Sequence, residues 1–128
     1  MSLENSVESV MRSPPVTALF SDSVASVIDK MITNNIGAVI VISGGNPVGI
    51  ITERDVVEKV TRAGRDPSKI KAEEIMSSPL ISIEADKTIG DALVLMRDKK
   101  VRRLGVTRRG RLVGIVTERR LLDALASH

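Results

Sequence analysis

Between residues 24 and 32 the apolar side chains Val24, Val27, Ile28, Met31 and Ile32 recur at i, i+3, i+4, i+7 and i+8. That is the spacing of one helix face, and Ser23 stands just ahead of it as an N-cap. Upstream, "PVTAL" (15–19) predicts a short strand. Downstream, the β-branched run "AVIVI" (38–42), the turn residues "GGN" (44–46) and "VGII" (48–51) predict a hairpin. Thr52 then caps a second helix bearing Val56, Val57 and Val60. The order is β-α-β-β-α.

The pattern is then written again. At an offset of 65, Met11 meets Met76, Ser13-Pro14 meets Ser78-Pro79, Val48-Gly49-Ile50 meets Val113-Gly114-Ile115, and Thr52-Glu53-Arg54 meets Thr117-Glu118-Arg119. No gap is needed from Val10 to Val60. The second copy predicts a strand at "LISI" (80–83), a helix opened by Thr88 with Asp91, a hairpin across "RRGR" (108–111), and a last helix capped by Thr117 with Leu121, Leu122 and Leu125. Two copies are too few for a solenoid, so a pseudo-twofold pair is expected. A lone copy of roughly 50 residues buries too little to be sturdy. The expected fold class is α/β (α+β), two such motifs packed through their sheets. The expected boundaries are 10–63 for the first motif, 64–74 for a Gly- and Pro-containing linker, and 75–128 for the second.

Composition narrows the chemistry. The chain has no Cys, and its one His is His128, so neither a Cys/His zinc site nor a His-based nucleophile system is expected. No apolar run reaches the ~20 residues of a membrane span. The first residues lack the basic and apolar regions of a secretory signal, so a cytoplasmic protein is expected. Net charge is +3 but uneven: residues 1–64 carry 5 basic and 7 acidic side chains, residues 65–128 carry 14 and 9. The basic second half suits either nucleic acid or a phosphorylated small molecule. With Phe20 as the single aromatic residue there is no stacking platform, which disfavours single-stranded nucleic acid.

The strand–Thr–helix junction carries the candidate chemistry. A helix N-terminus attracts phosphate, and an Asp one turn in can accept both hydroxyls of a ribose diol. Gly49 would let the strand approach such a ligand closely. The same Thr-x-x-Asp pattern is also that of a capping box, whose role is structural. The second copy keeps the Thr but has Arg120 where the first has Asp55. An arginine accepts no hydrogen bond.

The tandem motifs, the lead-ins "MRSPPVT" and "MSSPLIS", and the phrases "GIITERD" and "GIVTERR" resemble a pair of CBS (cystathionine β-synthase) domains, a Bateman module, over about Val10 to Leu125. The resemblance implies a non-enzymatic regulatory module that binds AMP, ADP, ATP or S-adenosylmethionine between its halves, as regulatory ligand rather than required cofactor. It assigns nucleotide binding to Thr52, Asp55, Leu80, Ile81, Ser82, Val101, Arg102 and Arg119, with adenine at the 80–82 lead-in and phosphate at the arginines. It also implies a degenerate second site from Val16, Thr17, Arg54, Thr117 and Arg120. A homodimer is expected, through the stripes Val24/Val27/Ile28/Met31 and Leu121/Leu122/Leu125, with an effector protein that no motif identifies. The alternatives are a scaffold or dimerisation module with vestigial clefts, and nucleic-acid binding through the basic half.

Overall fold

The computed structural model describes residues 1–127. It contains two three-stranded sheets, one in each of two compact units: Val16–Leu80, called here the first-repeat unit, and Met1–Pro15 with Ile81–His128, the second-repeat unit.

In the first-repeat unit the elements are β1 (Thr17–Leu19), α1 (Val24–Asn34), β2 (Ala38–Ser43), β3 (Asn46–Thr52) and α2 (Glu53–Val56), which runs on as a π-helical turn over Val57–Thr61. β1 lies parallel to β2 and β2 antiparallel to β3. Ser23 caps α1 as its sequence implies, accepting from the Ser26 amide. Gly44 and Gly45 both take positive φ and make the hairpin turn. The apolar helix face packs Val24, Val27 and Met31 onto Val39, Val41 and Ile51 of the sheet.

The second-repeat unit has β4 (Ser82–Glu84), α3 (Ile89–Lys99), β5 (Arg103–Arg108), β6 (Arg111–Thr117) and α4 (Glu118–Ala126), with the same strand order and senses. Its registers repeat those of the first at the same offset: Thr17 faces Ile40, and Ser82 faces Gly105. Thr88 and Asp91 form the expected capping box. The hydrogen bonds from Thr88 hold the Asp91 carboxyl below the usual carboxylate range.

The compact units do not follow the boundaries expected from the repeat. Residues 64–74, expected as a linker, form part of the first-repeat unit. Ile70 and Ala72 are buried in its core beside Ile75, the Val24 amide donates to Ile70 O, and Ser23 bridges Lys71. The matching segment ahead of the first repeat does the same for the second-repeat unit. Val7 and Val10 are buried there, and the Val7 amide donates to Lys87 O. The physical reason is core size. A three-stranded sheet with two helices leaves apolar surface, which residues 70–75 close in the first-repeat unit and residues 7–10 in the second-repeat unit.

The expected interface stripes are partly used internally. Val24, Val27, Met31 and Leu121 are all buried within their own units. Of the second stripe Leu122 stays 50% exposed, and outside both stripes Ile32 (73%) and Val57 (57%) stand out to solvent.

Candidate functional site

The repeated phrase V-G-I has a structural partner, and it is the M-x-S-P lead-in. In the first-repeat unit Ile50 and Ser77 exchange backbone hydrogen bonds (3.0 and 2.8 Å), and Ser78 Oγ donates to Val48 O (3.0 Å). In the second-repeat unit Arg12 and Ile115 exchange theirs (2.8 and 3.0 Å), and Ser13 Oγ donates to Val113 O (2.8 Å). Between these ties the chain passes directly over the glycine. A Cβ on Gly49 would lie 2.7 Å from Met76 Sδ and 2.8 Å from Ser77 O; on Gly114 it would lie 2.6 Å from Met11 Sδ and 2.8 Å from Arg12 O. Both glycines therefore admit a neighbouring stretch of protein backbone. The close approach expected of Gly49 is made by residues 76–77 rather than by a ligand.

Thr52 and Asp55 meet as the spacing predicts. The Thr52 amide donates to Asp55 Oδ2 (2.9 Å), Thr52 Oγ1 donates to the same oxygen (3.1 Å), and the Asp55 amide returns a bond to Thr52 Oγ1 (3.2 Å). This is a complete capping box. Asp55 Oδ1 is also engaged, by Lys59 Nζ at 3.0 Å and Ser77 Oγ at 3.3 Å. At 8% exposure Asp55 is the one buried charged side chain among the described residues. Lys59 Nζ reaches on to Ile75 O (2.8 Å), so it ties the lead-in to the helix that carries the carboxylate.

The second copy reaches the same end with different residues. Arg120 Nε donates to Val10 O, and Val10 is the counterpart of Ile75. The counterpart of Lys59 is Ala124. One arginine thus replaces an Asp–Lys pair in pinning the lead-in carbonyl, a signal legible in the sequence only when positions 55 and 59 are read together with 120 and 124. Arg120→Asp is accordingly expected to strip Val10 O of its partner and to lower stability by about 1 kcal/mol. Adding Ala124→Lys should recover most of that loss, as followed by urea unfolding of the single and double variants. A single variant as stable as the wild type would remove the pinning role.

The other sequence-derived residues divide between the units. In the first-repeat unit Leu80 is half-buried at its end, and Val16 O accepts from the Ile40 amide (3.1 Å). Thr17 O accepts from Lys30 Nζ (2.6 Å), and Arg54 is exposed and paired with Glu58 (2.9 Å). In the second-repeat unit Ile81 O is taken by the Gly105 amide (3.0 Å), so that backbone acceptor is committed to the sheet. Ser82 is exposed, and Val101 packs at the edge of the core.

Arg102 and Arg119, however, are brought together. With Arg103, Thr117, Glu118, Leu122 and Asp123 they line an open recess of about 510 Å³ at the start of α4. Two amides there are occupied: Glu118 N donates to Arg102 O (2.8 Å) and Arg120 N to Thr117 Oγ1 (3.1 Å). The Thr117 O–H is not drawn to position 120, since an arginine accepts no bond. Arg103, Glu118, Leu122 and Asp123 line this recess outside the site assignment from sequence, although "KKVRR" marks Arg103. Among the described residues there is no cluster of side chains suited to a metal ion, and no helix is long and apolar enough to cross a membrane.

Two β-α-β-β-α units with Thr-capped helices at equivalent strand ends define a tandem-repeat module. The CBS-domain family model matches residues 7–62 and again 72–127, and the chain belongs to that family. It is 39% identical over 120 residues to an uncharacterized protein of Methanopyrus kandleri, covering 92% of this chain and 61% of that one. The chain therefore spans less than two thirds of that relative. An uncharacterized conserved protein from Pyrococcus horikoshii has the same fold, with 26% identity, a TM-score of 0.88, and coverage of 100% of this chain and 97% of that one. The CBS domain pair of protein MJ0100, solved in complex with 5'-methylthioadenosine and S-adenosyl-L-methionine, superposes with a TM-score of 0.82 at 25% identity, covering 95% of this chain and 96% of that one.

Proposed function

We propose that this CBS pair is a non-enzymatic sensor of an adenosyl ligand, with AMP, ADP or ATP favoured. The observation that carries the reading is the recess holding Arg102, Arg103 and Arg119. Three guanidinium groups around one concavity at a helix start suit phosphate oxygens, which they can bind bidentately. A neighbour of the same fold that binds adenosyl compounds supports the nucleoside part. Thr52 and Asp55 are the groups that would take the ribose, and Leu80, Ile81 and Ser82 those that would flank adenine. Because Ile81 O is already paired in the sheet, adenine contact there would use the other backbone groups of residues 80–82 together with the aliphatic side chains. Val16, Thr17, Arg54, Thr117 and Arg120 would provide a weaker second position without a carboxylate, and a single ligand per chain is expected.

Calorimetry on nucleotide-stripped protein with AMP, ADP, ATP and S-adenosyl-L-methionine tests the proposal. Arg119→Ala should weaken ATP and ADP by about tenfold while adenosine is little changed, since a charged hydrogen bond contributes roughly 1.5–3 kcal/mol. Equal loss for adenosine, or two equal tight sites per chain, would contradict the assignment.

The exposed apolar groove between α1 and α2, lined by Ile28, Met31, Ile32, Val56 and Val57, supports a homodimer as the working assembly. Ile32→Glu is then expected to convert a dimer to a monomer in sedimentation equilibrium. A wild-type chain that is monomeric at micromolar concentration would end that part of the proposal.

A further inference from the structure

We propose that Lys59 and Ser77 together occupy the diol-binding side of Asp55, and that a ligand must bring two adjacent hydroxyl donors to replace them. The inference rests on the adenosyl reading above and concerns how that same carboxylate selects its ligand.

A carboxylate offers about four acceptor positions. At Asp55 all four are in use: Oδ2 holds the Thr52 amide and hydroxyl, and Oδ1 holds Lys59 Nζ and Ser77 Oγ. The Oδ2 pair is the helix cap and stays with the fold. The Oδ1 pair can leave at modest cost. Lys59 keeps a second acceptor in Ile75 O, and its side chain is 41% exposed; Ser77 is an exposed residue whose hydroxyl can return to water. Two donors leave and a vicinal diol delivers two, so the buried carboxylate never lacks a partner. A 2'-deoxy ligand replaces at most one of them, and a 2',3'-dideoxy ligand none. Selectivity for a ribose thus comes from a set of donors already in place rather than from an empty acceptor. The exchange also loosens the lead-in at Ser77, whose hydroxyl no longer ties it to Asp55, and shifts the Lys59 ammonium that Ile75 O holds. The second-repeat unit has no equivalent: Arg120, Ala124 and Arg12 stand at the matching positions.

The test is an NMR titration of the wild type, Lys59→Met and Ser77→Ala with adenosine, 2'-deoxyadenosine and 2',3'-dideoxyadenosine, each variant first shown to be folded by its thermal transition. Adenosine should bind the wild type at least about tenfold more tightly than the dideoxy compound. It should shift the Ile75 and Ser77 amides, which the dideoxy compound leaves in place. Both variants should bind adenosine several-fold more tightly than the wild type and the dideoxy compound no differently, since the resident competitor is gone. Adenosine binding that weakens or stays unchanged in both variants would overturn the exchange and make the two side chains ligand contacts or bystanders. A wild type that binds neither adenosine nor AMP, ATP or S-adenosyl-L-methionine would overturn the adenosyl reading itself. The wild-type amide shifts decide between exchange and no exchange even if one variant fails to fold.

Discussion

Gly114→Ala is expected to lower the stability of the chain by about 2–3 kcal/mol, a loss of roughly 10 °C in Tm for a protein of this size. The added methyl would stand 2.8 Å from Arg12 O and 2.6 Å from Met11 Sδ. The thioether can swing away, but the carbonyl cannot. It belongs to a residue whose amide and carbonyl are both paired with Ile115, one position beyond the glycine. Relief would therefore break a bridge held at both ends by Ser13 and Arg12. Gly49→Ala should behave alike, because Ser77 O is equally close and equally tied. Thermal and urea unfolding check both. If the glycines instead serve a ligand's approach, the variants would melt like the wild type and lose affinity alone. A change in Tm under about 2 °C would show that the lead-in lifts off freely.

Asp55→Ala should be nearly as costly and should act on two readouts at once. Removing a helix-cap partner costs about 1 kcal/mol, and losing the Lys59 ion pair and the Ser77 hydrogen bond adds a similar amount, for roughly 2 kcal/mol in all. Asp91→Ala provides the internal comparison. Asp91 makes the same capping box with Thr88, but it is exposed and carries no ion pair, so its loss should stay near 1 kcal/mol or below. On the adenosyl reading Asp55→Ala also lowers AMP affinity at least about tenfold, as measured by calorimetry well below the variant's Tm. A stability loss with unchanged affinity would make Asp55 a cap and nothing more. An affinity loss with unchanged stability would show that its buried contacts contribute little to the fold.

The elements themselves were legible in the residues. The helix face from Val24 to Met31, the β-branched run at 38–42, the Gly-Gly turn and the four Thr or Ser caps each encode their structure through interactions within a few positions, which is the range that periodicity and capping report. The offset of 65 disclosed the pairing of two like motifs for the same reason: repetition is a property of the string. The family resemblance also grouped Arg102 with Arg119, and the two line one recess, which the fold makes by setting the start of β5 beside the start of α4.

What the string does not contain is which segment closes which core. Residues 64–74 carry linker chemistry in Gly64 and Pro67, yet Ile70 and Ala72 complete the first-repeat unit, and Val7 and Val10 complete the second. Those contacts join residues far apart in sequence, and no local pattern encodes them. The same holds for the repeated glycines, whose purpose appears only once residues 11–12 and 76–77 are laid across them. The contrast between Asp55 and Arg120 is the sharpest case. From sequence it reads as a ligand acceptor kept in one copy and lost in the other. In three dimensions both side chains help hold a lead-in segment, Asp55 through Lys59 and Ser77, and Arg120 through the Val10 carbonyl. Burial and hydrogen-bond partnership are decided by the folded chain as a whole, and they determine which acceptor a ligand must compete for.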